Sequence, residues 1–456
     1  MKNTGNKPGP CAGDNDPVNK SFDALGTDAF FVRRLAVRGI TVPTAVQELV
    51  MPKIFAGEEL IFSSATGTGK TFAYLIPLLQ RFALNRRETG PPGIIVAAPT
   101  YELCSQIKGE ADFLLEGINQ VPDLADPDPA ASGPAASGLS EGSDLAGSAP
   151  MVPEGAGRAV VKAAGTFPPV RAGLCIGSAN ISRQVETLKK EKPFLVIGNP
   201  GRLLQLARMG KLSLRGLKAL VFDEGDRLAA KELFEETGEF AGLAREQGGP
   251  SLRCYACSAT MPERAKSRLL PFFGPEAGTA KEPGREVLRD SIEHWVLFSE
   301  ERKKTRTLVS FLAAVKPRKA LVFIDAGGRI GRVAGLLQNH KISAGCLYGG
   351  MDKQARRNAL DDFRKDRIKV LVTSDLAARG LDIPGVSHIV ALDMGTGEES
   401  YIHRAGRTAR SGKRGVMVTI GDEAELRRLQ ALEKKLGIVI YPKALYQGRL
   451  ERAGDI

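Results

Sequence analysis

The sequence predicts an α/β protein made of two tandem open parallel-sheet domains. Short apolar runs recur along the chain with helical patterns between them, and strand–helix–strand units of this kind pair in parallel. Several of the runs end in polar clusters: a glycine turn follows Leu60-Ile61-Phe62, Asp223-Glu224-Gly225-Asp226 follows the run 218–222, and Ser258-Ala259-Thr260 follows the run 252–257. Ligands bind at that C-terminal strand edge in an open parallel sheet. The same plan returns, without the glycine turn, beyond a Pro/Gly-rich stretch. A chain of 456 residues that is 43% hydrophobic is also too long for a single core.

Composition narrows the class. The formal net charge is +12 and the sequence pI is near 9.4, which fits a polyanionic partner. Six cysteines are too sparse for a disulfide framework and fit a reducing compartment. Cys254 and Cys257 form a CxxC, but no second pair completes a zinc site and the run around them is apolar, so packing is the expected role. The first twenty residues lack an apolar core segment and no run of about 18 apolar residues occurs, so a cytoplasmic protein without a membrane span is expected.

In chain order, residues 1–20 read as a disordered tail and residues 21–273 as the first domain. Phe22 precedes the segment GITVPTAVQ, in which Thr44 is a candidate N-cap and Gln47 offers the donor and acceptor that an adenine edge requires. Residues Glu59 to Gln80 then give a strand, a small-residue loop and a helix N-terminus. Gly67 and Gly69 let backbone N–H groups approach a polyphosphate, Lys70 can reach its β- and γ-phosphates, and the Thr71 hydroxyl suits Mg²⁺. Ser64 replaces the first glycine of the strict phosphate-loop pattern. A second strand ends in PTYELCSQI, where Leu103 and Ile107 mark a helix. Residues 121–170 are rich in Ala, Gly, Ser and Pro with Phe167 the single aromatic, and are expected to be a flexible insertion.

Strand PFLVIG leads into NPGRL, and the next strand ends in Asp223, placed to hold Mg²⁺ through water, with Glu224 placed to orient or deprotonate a water. Residues 274–288 read as a linker, 289–436 as the second domain and 437–456 as a short tail. The second domain carries KALVFID, LYGGMDKQARR, the stretch VLVTSDLAARGLDIPGV and the cluster HRAGRTAR. Arg404, Arg407 and Arg410, three apart, would present planar guanidinium donors to a γ-phosphate held by the first domain.

Taken together the motifs resemble those of the DEAD-box RNA helicases, superfamily 2 ATPases built from two RecA-like domains. Phe22 and Gln47 resemble the adenine-reading Q motif, SATGTGKT resembles motif I, and PTYEL resembles PTRELA. NPGR resembles TPGR, DEGD resembles DEAD, and Ser258-Ala259-Thr260 matches SAT. In the second domain Thr373, Ser374, Asp375, Arg379, Gly380 and Asp382 match motif V, and His403, Arg404, Gly406, Arg407 and Arg410 match motif VI. The resemblance implies an RNA-stimulated ATPase that unwinds short duplexes or remodels ribonucleoproteins, with ATP and Mg²⁺ as cofactors.

It further implies catalytic roles for Lys70, Asp223, Glu224, Arg407 and Arg410. Phe22, Gln47, Ala65, Thr66, Gly67, Thr68, Gly69, Lys70, Thr71 and Asp382 would hold ATP, and Thr71 and Asp223 would hold the metal. Asp226, Ser258, Thr260 and His403 would couple the domains, while Pro99, Thr100, Gly201, Arg202 and Thr373 would contact RNA. Departures from the family pattern fall on the RNA side: Tyr101 replaces arginine, Asn199 replaces threonine, and Gly177-Ser178 replaces a glycine pair. Backbone recognition implies little sequence preference; a monomer is expected, with ribosomal or degradation-complex partners left open. Two alternatives remain: an ATP-gated RNA clamp without productive unwinding, and a DNA-directed superfamily 2 translocase.

Overall fold

The computed structural model describes residues 21–65, 67–84, 92–118, 170–281, 291–325, 327–378, 383, 385–395, 397–409 and 413–454. Two α/β layers stand in tandem. The first holds strands β1 (Leu60–Ser63), β2 (Ile94–Ala97), β3 (Ala172–Cys175), β4 (Leu195–Gly198), β5 (Ala219–Asp223), β6 (Arg253–Ser258) and β7 (Gly278–Lys281). Its helices are α1 (Ala29–Val37), α2 (Ala45–Ala56), α3 (Lys70–Phe82), α4 (Tyr101–Leu115), α5 (Ile181–Glu191), α6 (Pro200–Arg208), α7 (Gly225–Leu228), α8 (Lys231–Gly248) and α9 (Glu263–Leu269).

The second layer holds β8 (Ile292–Phe298), β9 (Ala320–Phe323), β10 (Ala344–Leu347), β11 (Val370–Thr373), β12 (His388–Ala391), β13 (Gly415–Gly421), β14 (Ile440–Tyr446) and β15 (Arg449–Arg452). Helices α10 (Lys304–Val315), α11 (Gly327–Asn339), α12 (Lys353–Arg364), α13 (Asp375–Ala378), α14 (Gly397–Ala405) and α15 (Glu423–Leu436) cover it.

Strand order decides where the polar clusters meet. The first sheet runs β3-β4-β2-β5-β6-β1-β7, all parallel, so β5, β6 and β1 are neighbours. The register pairs Ser63 with Ser258 and Asp223 with Cys257. The glycine turn, the Ser258-Ala259-Thr260 segment and the acidic cluster therefore lie in a row along one edge. The second sheet runs β10-β11-β9-β12-β13-β8-β14-β15 and is parallel except for the final β14–β15 pair.

Each sheet is buried on both faces, which explains why its strands read as continuous apolar runs. Leu60 and Phe62 pack with α1 to α4, whereas Ile61 between them packs with α6, α8 and α9. In the second sheet Leu321 and Phe323 face α12, α14 and α15, and Val322 faces α10 and α11. This alternation is the two-residue period of a pleated strand. Cys104, Cys175, Cys254 and Cys257 are buried free thiols, as expected from their apolar surroundings.

Two expectations need correction. Residues 278–281, read as linker, form β7, which hydrogen-bonds β1 in parallel; short, small residues there allow an edge strand despite the Pro/Gly content. Residues 440–452, read as tail, form β14 and β15, with Leu445 and Leu450 packed on the second core. The tail expected at 1–20 and nearly all of the 121–170 insertion lie outside the described residues. Among the described residues no helix is long and apolar enough to cross a membrane.

Candidate active site between the two sheets

The loop from Ser64 to Gly69 is a close-fitting turn. Gly67 and Gly69 adopt φ of 82° and 89°, which side chains with a Cβ rarely accept, and a Cβ on Gly69 would also lie 2.6 Å from Gln47 Nε2. Lys70 Nζ donates to the carbonyls of Ser64 and Ala65, each at 2.7 Å, and Thr68 Oγ1 donates to Ala65 O at 2.8 Å. Gln47 is buried, accepts from Thr44 N at 2.9 Å and donates to Gly69 O at 3.3 Å, while Thr44 Oγ1 donates to Thr68 O at 2.7 Å. The start of α2 is thereby tied to the loop. Phe22, expected to touch a nucleotide, is 1% exposed within the first-domain core and presents almost no surface to a ligand. Thr66 lies outside the described residues.

Asp223 ends β5 almost fully buried. Its Oδ2 accepts from Tyr74 OH at 2.8 Å, and its Oδ1 accepts from Glu224 N at 2.9 Å and from Cys257 Sγ at 3.4 Å. Burial pushes the Asp223 carboxyl up from its ordinary value, opposed by the Tyr74 hydrogen bond and Lys70. Glu224 sits at φ 51°, a left-handed conformation that costs a non-glycine residue energy and often marks functional sites. Burial also raises the Glu224 carboxyl, and the largest opposing charge is Arg407 of the second domain. A carboxyl raised in this way is a better proton acceptor near neutral pH.

The second domain closes over this edge. His403 Nε2 lies 3.2 Å from Asp226 Oδ2, Thr260 Oγ1 donates to the same oxygen at 3.1 Å, and Thr260 Oγ1 lies 3.4 Å from His403 Nε2. Burial would raise Asp226, but the hydrogen bond and charge of His403 hold it at about 2. Ser258 O accepts from Ser64 N at 3.1 Å, joining that segment to the phosphate loop.

Of the three arginines expected at a γ-phosphate, Arg404 does not qualify. It is 1% exposed, donates to Asp375 Oδ1 at 2.6 Å, Asp375 Oδ2 at 2.9 Å and Asp325 Oδ1 at 2.6 Å, also donates to Asp393 O, and lies over the Phe323 ring. Desolvating a guanidinium demands such a full set of partners, and they bind it inside the second domain. Arg407 is buried, with its charge near enough to oppose the rise of Glu224; Arg410 and Asp382 lie outside the described residues.

On the adjoining face, Thr100 Oγ1 caps α4 by accepting from Leu103 N at 3.3 Å, beside the partly exposed Pro99. Arg202 donates to Ala179 O and Gly177 O, both at 3.0 Å, and a Cβ on Gly201 would meet the carboxylate end of the exposed Glu236 side chain. Asn199, read as an RNA-facing departure, turns inward and donates to Ala98 O at 2.9 Å. Thr373 is fully buried at the end of β11 and presents no surface for RNA; its neighbour Ser374 is partly exposed.

A cavity of about 720 Å³ separates Tyr101 and the Ser178-Ala179 turn from α12, which lines it with Arg356, Arg357 and Arg364. Glu102 and Arg356 form an ion pair across it, and Arg356 also donates to Ala377 O at 3.0 Å. Sequence reading did not single out Glu102 or these arginines, although the basic run in KQARR was a visible signal. A further acidic group, Glu301, Asp422 and Glu425, is engaged by the buried Lys304, which contacts Glu301 at 2.7 Å and Glu425 at 2.6 Å.

Comparison with known proteins adds to this geometry. Residues 44–127 and 158–268 match the DEAD/DEAH box helicase family, and residues 303–412 match the helicase conserved C-terminal domain. The DEAD-box ATP-dependent RNA helicase CshC of Bacillus cereus is 30% identical over 413 residues, covering 89% of this chain and 88% of the relative. The ATP-dependent RNA helicase SrmB of Escherichia coli is 28% identical over 402 residues, covering 88% and 78%. Among solved structures, S. cerevisiae Dbp5 bound to RNA and ADP BeF3 superposes with a TM-score of 0.71 at 23% identity, covering 93% of this chain and 96% of that one. Mss116p bound to ssRNA and AMP-PNP gives 0.75 at 21%, covering 95% and 82%. These structures share the tandem RecA-like fold.

Proposed function

Because this chain belongs to the DEAD/DEAH box helicase family, we propose that it is an ATP-dependent RNA helicase whose ATP cleft is the edge where β1, β6 and β5 meet the second domain. The observation that carries this reading is the contact of the acidic cluster with the second domain, His403 Nε2 on Asp226 Oδ2 at 3.2 Å, beside which the Arg407 charge opposes the rise of Glu224.

The residues fit the groups they would hold. The loop glycines and the N-terminus of α3 suit a polyphosphate, and Lys70 can exchange its carbonyl partners for phosphate oxygens. Gln47 keeps a second amide hydrogen and lone pair for an adenine edge. Thr71 and Asp223 offer hard oxygen donors of the kind that bind Mg²⁺, which when bound neutralises phosphate charge. Glu224 accepts the proton of the attacking water, Arg407 and Arg410 stabilise charge developing on the γ-phosphate, and Asp226, Thr260 and His403 report closure to the nucleotide side. Single-stranded RNA crosses the face formed by Thr100, Gly201, Arg202, Ser374 and the cavity beside Tyr101, with contacts mainly to its backbone. The working unit is a cytoplasmic monomer, consistent with the buried free thiols.

ATPase assays with RNA, DNA or neither test the proposal. RNA is expected to raise turnover well above DNA, and Glu224→Gln is expected to abolish turnover while retaining ATP-dependent RNA binding. Unaltered hydrolysis by the Glu224→Gln protein, or equal stimulation by DNA, overturns it. One second reading has its own support: Tyr101 in place of a cationic residue and Asn199 turned inward favour an ATP-gated RNA clamp. Failure to displace a short duplex, with RNA-stimulated ATPase intact, would select the clamp.

A further inference from the structure

We propose that Tyr74 is a positioning residue that holds the metal-binding carboxylate of Asp223 in one arrangement, with Cys257 as a second brace on it. The inference rests on the ATP-cleft reading above. Tyr74 is fully buried on α3, three residues after Thr71 and therefore on the same helix face. Its hydroxyl donates to Asp223 Oδ2 at 2.8 Å.

A phenol has one proton. That proton is committed to one carboxylate oxygen of Asp223, which fixes how the carboxylate is turned and leaves its remaining lone pairs for other partners. One phenol on α3 thereby orients a donor at the end of β5, 149 positions away in sequence. On the other carboxylate oxygen the Glu224 N–H and the Cys257 thiol fix the remaining rotation. Partners of this kind, bonded to ligands and not to the ion, tune metal affinity.

Tyr74→Phe keeps the ring and removes the bond, so packing and positioning separate. The first readout is equilibrium binding of a fluorescent ATP analogue titrated with Mg²⁺; the second is the Mg²⁺ midpoint of RNA-stimulated ATPase. The variant is expected to bind the analogue without Mg²⁺ as the parent does, and to need roughly tenfold more Mg²⁺ for the metal-dependent gain in both assays. Unchanged Mg²⁺ midpoints overturn the proposal, as does an equal loss of binding with and without Mg²⁺, which would mark a packing role. If Tyr74→Phe fails to fold, Cys257→Ala decides: a raised midpoint supports the brace and an unchanged one overturns it. A parent protein whose nucleotide binding ignores Mg²⁺ and whose ATPase ignores RNA would instead overturn the cleft reading itself.

Discussion

Tyr101 and Asn199 depart from the family pattern at neighbouring strand ends, yet the structure gives them different consequences. Tyr101 opens α4 and is 38% exposed on the cavity lined by Arg356, Arg357 and Arg364. Asn199 spends its amide on Ala98 O. Tyr101→Arg is therefore expected to lower the RNA concentration for half-maximal ATPase and to steepen the salt dependence of RNA binding by about one phosphate contact. Asn199→Thr is expected to leave both unchanged while costing about 1 kcal/mol of stability through the altered buried hydrogen bond. RNA titrations at two salt concentrations check the first, and urea denaturation checks the second. A weaker RNA response from Tyr101→Arg would show that the ring already serves RNA by stacking.

At the level of elements, two glycines begin helices and tolerate change differently. Gly69 precedes α3 at φ 89° with Gln47 Nε2 where a Cβ would go, so Gly69→Ala meets both strain and collision. Strain alone costs roughly 1–2 kcal/mol, and displacement of Gln47 is expected to weaken ATP binding at least tenfold. Gly225 begins α7, and a Cβ there would sit 3.2 Å from Leu269 Cδ1 and 3.3 Å from Met261 Cε. Both are end methyls of flexible side chains, and alanine favours the helix by up to about 1 kcal/mol. Gly225→Ala is therefore expected to stay within about 1 kcal/mol of the parent and keep its ATPase, as measured by denaturation and turnover. The hairpin β14–β15 belongs to this level too: β14 pairs with the β8 edge, which would otherwise be an open pairing surface.

Across the whole molecule, acid should act on the second sheet before it reaches the cleft contact. Asp226 titrates near 2, so its bond with His403 keeps a charged carboxylate at any pH well above that. His388, half-buried at the start of β12 near Trp295 and Phe311, is lowered to about 4 by desolvation. Its unfolded value is about 6.5, so between those limits the unfolded chain binds more protons and stability falls as pH drops from about 6.5 toward 4. The melting temperature is expected to drop by a few degrees more between pH 7 and pH 5 in the parent than in His388→Gln. Equal drops in both proteins would show that His388 does not carry the acid sensitivity.

The sequence by itself determined the elements whose chemistry is local. A glycine turn between an apolar run and a helix needs only its own backbone freedom, and polar residues at the ends of buried strands can be read from a few neighbours. Lys70, Thr71, Asp223, Glu224 and Asp226 were legible in this way. Tertiary structure alone decided which side chains still face a ligand. Arg404 sits in the same motif as Arg407, yet Asp325 and Asp375 draw it inside. Phe22 and Thr373 are buried by elements far along the chain, Asn199 is turned by the carbonyl of Ala98, and the Pro-containing segment 440–446 becomes a strand because β8 presents a free edge to it. Burial and hydrogen-bond partners are set by residues distant in sequence, so one residue type in one motif can face the cleft or the core, and only the packed chain distinguishes them.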